Sequence, residues 1–217
     1  MSYAELHCLS CYSFLRSASH PHELVERAAA LGYGALAITD ECSFAGVVKA
    51  HVAAKAAGLP LIIGSELNLE EGIRLVALVP TREAYSELSG LISMARRRSP
   101  KGEYRVALRD VIFHLKRCLL IWLPQSNDEH SHAYGLQLKR LCKGRLWLGV
   151  SHLLGNNEVQ RYLALHALAQ ELEIPMVACG DVRMHIATRK PLHDVFTALY
   201  HNTSIAQLGR RRPAHRP

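Results

Sequence analysis

Short apolar runs alternate with amphipathic stretches along almost the whole chain. The apolar runs are typical of strands, and the stretches with apolar residues every three or four positions are typical of helices. The predicted strands cover residues 3–7, 35–39, 59–69, 73–79, 118–123, 146–151 and 176–179. The predicted helices cover residues 21–31, 45–57, 81–98, 108–115, 134–142, 159–172 and 189–200. This alternation predicts an α/β protein, and it leaves open whether the sheet closes into a barrel or stays open and doubly wound.

The composition is that of an ordinary globular domain. The chain has 217 residues, of which 49% are hydrophobic and 21% are charged. No internal repeat or low-complexity linker divides it, so we expect a single domain. The apolar run at 118–123 is far shorter than the roughly 20 residues of a membrane-spanning helix. The first residues also lack the basic and apolar segments of a signal peptide, so we expect no membrane contact and a cytoplasmic location.

The positive charge is concentrated at one end of the chain. The formal net charge is 26 − 19 = +7. Four of these charges are arginines in the last eight residues, at positions 210, 211, 212 and 216. The rest of the chain carries 22 − 19 = +3, which is weak support for a nucleic-acid surface. We therefore expect a folded domain over residues 1–209 and a basic, disordered tail over residues 210–217.

The cysteines do not indicate a disulfide framework or a zinc site. Six cysteines in a chain without an export signal are expected to be reduced thiols. Cys8 and Cys11 form a Cys-x-x-Cys motif, but no second pair with zinc-ligand spacing follows. A structural role is therefore favoured over metal binding or redox chemistry.

The three consecutive arginines at positions 96–98 also have two interpretations. Arginines at the end of a helix complement the negative end of its dipole, and they are also able to contact phosphate. The structural interpretation is favoured.

Polar residues follow several of the predicted strands. In parallel α/β folds the functional groups collect at the carboxyl ends of strands. The residues at these ends are His7, Asp40 with Glu41, Glu66, His152 and Asp181. Converging imidazoles and carboxylates are the donors that a divalent cation needs. The spacing alone leaves open a metal site or a set of isolated polar strand ends.

Four ordered motifs resemble a known family. They are LHCLSCYSFL at 6–15, ITDE at 38–41, GSE at 64–66 and GDV at 180–182. Their order and spacing resemble the PHP (polymerase and histidinol phosphatase) domain of bacterial C-family DNA polymerase III alpha-type subunits. The segment 14–21 and the Asp-Glu ending of the second motif are most similar to the error-prone branch. The resemblance covers almost the whole chain and implies a distorted seven-stranded (β/α) barrel.

The resemblance also implies a metal site from which this chain departs. Metal-competent members carry a cluster of histidines and carboxylates that holds metal ions for phosphoester hydrolysis. Here Leu9 replaces the second histidine of the first motif, and Arg16 replaces its later acid. Glu41 replaces the histidine of the second motif. Arg183 replaces the histidine of the last motif, with His185 displaced by two residues.

The positions that remain form a vestigial set. They are His7, Asp40, Glu41, Glu66 and Asp181. Arginine stays protonated at any relevant pH, so Arg16 and Arg183 oppose a cation. At about 4 Å and an effective dielectric of 20, each like-charge pair costs roughly 4 kcal/mol. We therefore expect both arginines to pair with these carboxylates, with no metal and no catalytic residue.

The resemblance implies a function in DNA repair and translesion synthesis. We expect a structural amino-terminal domain of an error-prone DNA polymerase that does not polymerise by itself. Its expected partner is the polymerase core of the same or a related chain, which would also be its route to DNA. The last residues depart from the family where the next region should begin, as in a truncated or frameshifted reading frame. The alternative is a free-standing phosphoesterase or 3′–5′ exonuclease that uses zinc, manganese or magnesium.

Overall fold

A computed structural model describes residues 3–124, 126, 128–152 and 157–209. Within these residues, seven strands form one sheet whose spatial order follows the chain. The strands are β1 (Ala4–Glu5), β2 (Ala35–Ile38), β3 (Leu61–Asn68), β4 (Arg74–Leu78), β5 (Leu119–Trp122), β6 (Leu146–Val150) and β7 (Met176–Ala178). The predicted tail, residues 210–217, lies outside the described residues.

Helices connect most of the strands. They are α1 (Pro21–Ala30), α2 (Val47–Ala57), α3 (Arg82–Arg97), α4 (Leu108–His114), α5 (Glu129–Leu141), α6 (Glu158–Glu171) and α7 (Lys190–Tyr200). Short 3-10 turns at Ala187–Arg189 and Ile205–Gln207 flank the last helix. None of the helices in the described part of the chain combines the length and apolarity that spanning a membrane requires.

The sheet closes on itself, which decides between the two predicted architectures. Strands β1 to β3 run parallel, β4 is antiparallel to both β3 and β5, and β5 to β7 are parallel again. The closing contact joins the segments that follow β1 and β7. The Leu9 amide donates to the Val182 carbonyl at 2.9 Å, and the Val182 amide donates to the His7 carbonyl at 3.0 Å. The predicted distorted (β/α) barrel is therefore confirmed.

Most elements are within a few residues of the sequence prediction, and the ends of β1 and α5 show what displaces them. Strand β1 is shorter than residues 3–7, and the segment that follows it bonds to both sides: the Cys8 carbonyl accepts from the Thr39 amide after β2, and His7 and Leu9 pair with Val182. Helix α5 starts at Glu129 instead of 134, because the side chain of Asp128 accepts a hydrogen bond from the Ser131 amide at 2.8 Å.

Local sequence signals explain the better-predicted helix ends. The Thr81 hydroxyl caps α3 by accepting a hydrogen bond from the Ala84 amide at 3.3 Å. One face of α3 is then buried against the main core through Leu88, Leu91 and Ala95. Helix α2 ends at Gly58, whose φ of 65° is the left-handed conformation that glycine adopts without strain.

The main hydrophobic core lies between the second half of the barrel and its helices. It includes Trp122, which is buried, whereas Trp147 of β6 is only half-buried. All six cysteines are free thiols, and Cys8 belongs to a second core cluster under α1 and α2. These clusters hold the strand ends in place and leave the mouth of the barrel to polar side chains.

Candidate functional site

Three of the predicted residues meet at the mouth of the barrel. His7 follows β1, Glu66 lies in β3 and Asp181 follows β7, and all three are buried. His7 Nε2 is 2.7 Å from Glu66 Oε2, and His7 Nδ1 is 3.5 Å from Asp181 Oδ1. One ligand atom from each residue lies within 4.8 Å of the other two. Among the described residues, this is the only group of three or more potential metal ligands.

A buried glutamate fixes the two strand ends that carry His7 and Asp181. Glu5 Oε1 accepts hydrogen bonds from the amides of His7 and Gly180, each at 2.8 Å. Glu5 Oε2 accepts a third from the Tyr3 hydroxyl at 2.9 Å. Burial raises the pKa of Glu5, because its charged form loses solvation. A Cβ at Gly180 would lie 2.2 Å from Glu5 Oε2, so this approach requires glycine.

Three guanidinium groups neutralise the carboxylates of the site. Arg16 pairs with Glu41 and reaches Glu66 Oε1 at 3.1 Å. Arg183 Nη2 is 2.9 Å from Asp181 Oδ1. The third arginine is at the start of β4, and it contacts two of the acids with one nitrogen. Arg74 Nη2 is 2.8 Å from Glu66 Oε2 and 3.0 Å from Asp181 Oδ1. Three arginines thus face three acids, and their formal charges cancel.

The network keeps its central carboxylate ionised. Although burial opposes charge on Glu66, the Arg74 guanidinium and the hydrogen bond from His7 hold its pKa well below the usual range. Burial likewise opposes charge on Arg74, but Glu66 and Asp181 raise its pKa on balance. At Arg183 the effect of burial is larger than that of Asp181, so its pKa is lowered.

Asp40 lies outside this network, which corrects one expectation. Neither Arg16 nor Arg183 pairs with it. Ser10 donates to it through its amide at 2.8 Å and its hydroxyl at 2.7 Å, and the Ser13 hydroxyl donates at 2.7 Å. The turn after β1 therefore wraps around the carboxylate and occupies the space that a guanidinium would need. Burial raises the pKa of Asp40, and these hydrogen bonds lower it only in part.

Glu41 points toward the arginines, but neutral groups also hold it. Its Oε1 accepts hydrogen bonds from the Tyr104 hydroxyl and from Asn68 Nδ2, both at 2.7 Å. Asn68 Nδ2 also reaches Glu66 Oε1 at 3.2 Å. Arg16 and the side-chain amide of Asn68 therefore each contact both Glu41 and Glu66.

Two further predicted positions do not contribute a ligand. Leu9 is fully buried, and its side chain offers no donor atom. His152 follows β6, as predicted, and it is not one of the three residues that meet at the site. Its side chain is 63% exposed, and its Nδ1 lies 3.7 Å from Glu158 Oε1. His185 instead lies 2.7 Å from the Ser19 hydroxyl.

Sequence reasoning missed Arg74, Asn68 and Tyr104. Arg74 is the one charged residue of the strand RLVAL, and its register partner in β3 is Asn68. A hairpin pairing of β3 with β4 would have placed Arg74 at the same end of the sheet as Glu66. Tyr104 lies in a loop far along the chain, and no local pattern pointed to it.

The arginines at 96–98 have structural contacts, in agreement with the favoured interpretation. Arg96 donates to the backbone carbonyls of Cys42 and Glu41 at 3.2 and 3.1 Å. Arg98 pairs with Asp110. Arg97 is exposed. The contacts of Arg96 and Arg98 show that at least two of the three guanidinium groups bind within the fold.

Solved structures place the fold in a class of barrels that includes phosphoesterases. The chain superposes on a candidate metal-dependent phosphoesterase from Bifidobacterium adolescentis with a TM-score of 0.59 and 20% identity, covering 84% of this chain and 88% of that one. It also superposes on an amidohydrolase from Chromobacterium violaceum, solved with bound sulfate and no metal, with a TM-score of 0.64 and 15% identity. That match likewise covers 84% of this chain and 88% of the other. At these identities the likeness defines the fold alone.

Sequence comparison identifies the family. Residues 5–129 match the PHP domain profile, and the chain belongs to the PHP domain family. It is 53% identical to the error-prone DNA polymerase of Saccharophagus degradans over 211 residues, which are 97% of this chain and 20% of that polymerase. It is 49% identical to the error-prone DNA polymerase of Teredinibacter turnerae over 214 residues, again 20% of the relative. The chain therefore spans about a fifth of the length of these relatives.

Proposed function

We propose that this chain is a structural PHP domain of an error-prone DNA polymerase, with a former metal site that arginines now neutralise. The observation that carries the proposal is the bridging contact of Arg74. One guanidinium nitrogen contacts Glu66 and Asp181 at 2.8 and 3.0 Å, between two of the three potential metal ligands. The guanidinium thus stands in for the cation that such ligands would otherwise hold.

The charges around the site argue against a divalent ion. Glu66 and Asp181 are already paired with three arginines, so an ion would add two positive charges to a neutral cluster. At about 4 Å and an effective dielectric of 20, each unit charge beside one guanidinium costs roughly 4 kcal/mol. Leu9 also supplies no donor, so few lone pairs remain to offset this cost. The present residues do not fit a metal centre unless Arg74 moves away.

The polymerase context rests on the relatives. Almost the whole of this chain aligns with error-prone DNA polymerases at about 50% identity. On the proposal, residues 1–209 form the domain and residues 210–217 a basic tail. The domain supports the polymerase core in DNA repair and translesion synthesis, in the cytoplasm. It reaches DNA through that core and contributes a pseudo-active site instead of chemistry.

An activity assay tests the structural role. The chain, purified without chelator, is incubated with Mn²⁺, Zn²⁺ or Mg²⁺ and with p-nitrophenyl phosphate or a 3′-labelled DNA strand. The proposal predicts no release of nitrophenol or nucleotide above a protein-free blank. The Asp181→Asn variant is the control, because hydrolysis that it abolishes belongs to this site and hydrolysis that it retains belongs to a contaminant. Metal-dependent hydrolysis lost in D181N would overturn the proposal.

A second function, metal-dependent phosphoester hydrolysis, is favoured by one specific observation. His7 Nδ1 is buried and makes no hydrogen bond, although it lies 3.5 Å from Asp181 Oδ1, and it belongs to the group His7, Glu66 and Asp181 that is compact enough to hold an ion. A buried ring nitrogen without a partner is costly unless something binds it. If an ion displaced Arg74, this nitrogen would be a ligand, and the same assay would detect the resulting activity.

A further inference from the structure

Helix α7 packs against the rest of the domain through its polar face. Its buried residues are His193, Asp194, Thr197 and Ala198, three of which are polar. An amphipathic helix on a globular protein normally buries its apolar stripe and exposes its polar one. The orientation of α7 is the reverse.

Specific contacts hold the helix in this orientation. His193 Nε2 donates to the Arg16 carbonyl at 3.2 Å, and the Thr197 hydroxyl donates to the His193 carbonyl at 2.8 Å. Lys190 pairs with the buried carboxylate of Asp194. Arg189, just before the helix, pairs with Glu23 of α1 at 2.6 Å. The contacts of His193 and Arg189 tie α7 to the loop that carries Arg16 and to the first helix, whereas the other two contacts lie within α7 itself.

The opposite side of α7 presents a continuous apolar stripe. Leu192, Val195, Phe196 and Leu199 have the i, i+3, i+4, i+7 spacing of one helix face. Val195 is 37% exposed and Leu199 is 60% exposed, while Leu192 and Phe196 are half-buried. Tyr200, the last residue of the helix, is 55% exposed, and Ile205, beyond the helix end, is 47% exposed. We name these six residues the α7 stripe. Such contiguous apolar patches mark interaction sites on soluble domains.

We infer that the α7 stripe is the surface on which the rest of an error-prone DNA polymerase docks. This inference rests on the proposed function and gives it a location. The relatives carry about four-fifths of their length outside the region that matches this chain, whereas nearly all of this chain is matched. The last eight residues of this chain, RRRPAHRP, include no large apolar side chain that would cover the stripe. A helix-sized apolar face of this kind fits an apolar groove or helix on the partner.

Side-chain footprinting with hydroxyl radicals tests this inference. The 217-residue chain is compared with a full-length chimera in which it replaces the matching region of the Saccharophagus degradans polymerase. We expect the oxidation of Phe196, Leu199 and Tyr200 to fall several-fold in the chimera. Phe113 of α4, which is 72% exposed, is the internal reference within the same chain. Should the chimera not fold, the natural polymerase is footprinted at the corresponding helix, so the question is still decided.

Two outcomes would overturn the inference. One is equal oxidation of the stripe in both proteins. The other is a dimer of the isolated chain that Leu199→Lys converts to a monomer, because a second copy would then be the occupant. L199K should leave the stability of the isolated chain unchanged, but it should weaken the contact between this domain and the rest of the polymerase in the chimera. Leu136→Lys, at a residue of similar exposure on α5, should affect neither the stability nor the contact. A stripe that stays exposed in a metal-free, inactive protein would refute this inference and leave the proposed function intact.

Discussion

Asp40 and Glu66 are both buried carboxylates at the mouth of one barrel, yet they are neutralised in opposite ways. Asp40 is 1% exposed and receives only neutral donors, from Ser10 and Ser13. Glu66 is fully buried and lies between His7, Arg16 and Arg74. Burial therefore raises the pKa of Asp40, whereas the arginines and His7 outweigh burial and lower the pKa of Glu66.

In the proposed function, this difference corresponds to two ways of satisfying a buried carboxylate without a metal ion. On the side of Asp40, a turn of the chain has closed around the carboxylate and satisfies it with hydroxyl and amide groups. On the side of Glu66, guanidinium groups supply the positive charge. The second arrangement is the more demanding one, because removing one partner from a buried ion pair leaves an uncompensated charge.

The largest expected effect comes from neutralising each acid in turn. Glu66→Gln leaves Arg16 and Arg74 without a central counter-ion, and we expect a loss of about 3 to 5 kcal/mol in the free energy of unfolding. Asp40→Asn disturbs only neutral hydrogen bonds and should cost about 1 kcal/mol. Urea unfolding of the two variants measures both values, and equal costs would contradict the comparison.

A smaller effect is expected from removing the bridging guanidinium. Arg74→Met should cost about 3 kcal/mol, since Glu66 and Asp181 each keep another arginine. It should also free the ligand group, so that Mn²⁺ or Zn²⁺ raises the melting temperature of R74M but not that of the natural chain.

The control for this variant is Arg117→Met. Arg117 pairs with Glu87 at 2.6 Å but its side chain is 61% exposed, so its loss should cost no more than about 1 kcal/mol and create no metal response. A metal response in the natural chain, or none in R74M, would show that Arg74 does not exclude the ion.

The smallest expected effect concerns how stability depends on pH. The contributions of Glu66 and Asp40 to stability should change with pH in opposite directions. The pKa of Glu66 is depressed in the folded state, so its contribution to stability is present above its ordinary value of 4.5 and is lost as the pH falls. The pKa of Asp40 is raised, so its contribution is present below its ordinary value of 3.8 and is lost as the pH rises. The cost of E66Q should therefore shrink in acid, whereas the cost of D40N should grow. Chemical unfolding across the acid range measures both slopes, and slopes of the same sign would refute this assignment.

Local sequence patterns predicted the elements of the fold, whereas contacts that depend on the path of the backbone in space were not predicted. The alternation of apolar runs and helices predicted the strands, and the motif positions of His7, Glu66 and Asp181 predicted which side chains would meet. The pairing of Arg16 and Arg183 with acids followed from their fixed charge. Asp40 was assigned the wrong partners, because whether a turn or an arginine fills the space beside it depends on the backbone path after β1.

Two other residues have a similar explanation. Arg74 was overlooked because its role depends on the antiparallel pairing of β3 with β4, which brings distant residues together. His152 follows a strand as predicted but does not join the cluster, because a strand end fixes a position at the edge of the sheet and not the direction in which a side chain points. The orientation of α7 could not be predicted either. Its apolar spacing alone predicts a buried face, whereas the fold leaves this face exposed.

The central claim is that arginines, and Arg74 above all, take the place of a metal ion. The most direct measurement is the metal content of the natural chain, purified without chelator and analysed by inductively coupled plasma mass spectrometry. We expect no stoichiometric zinc, manganese or iron, before or after dialysis against these ions. One or more tightly held ions per chain, retained through dialysis and lost in Asp181→Asn, would contradict it.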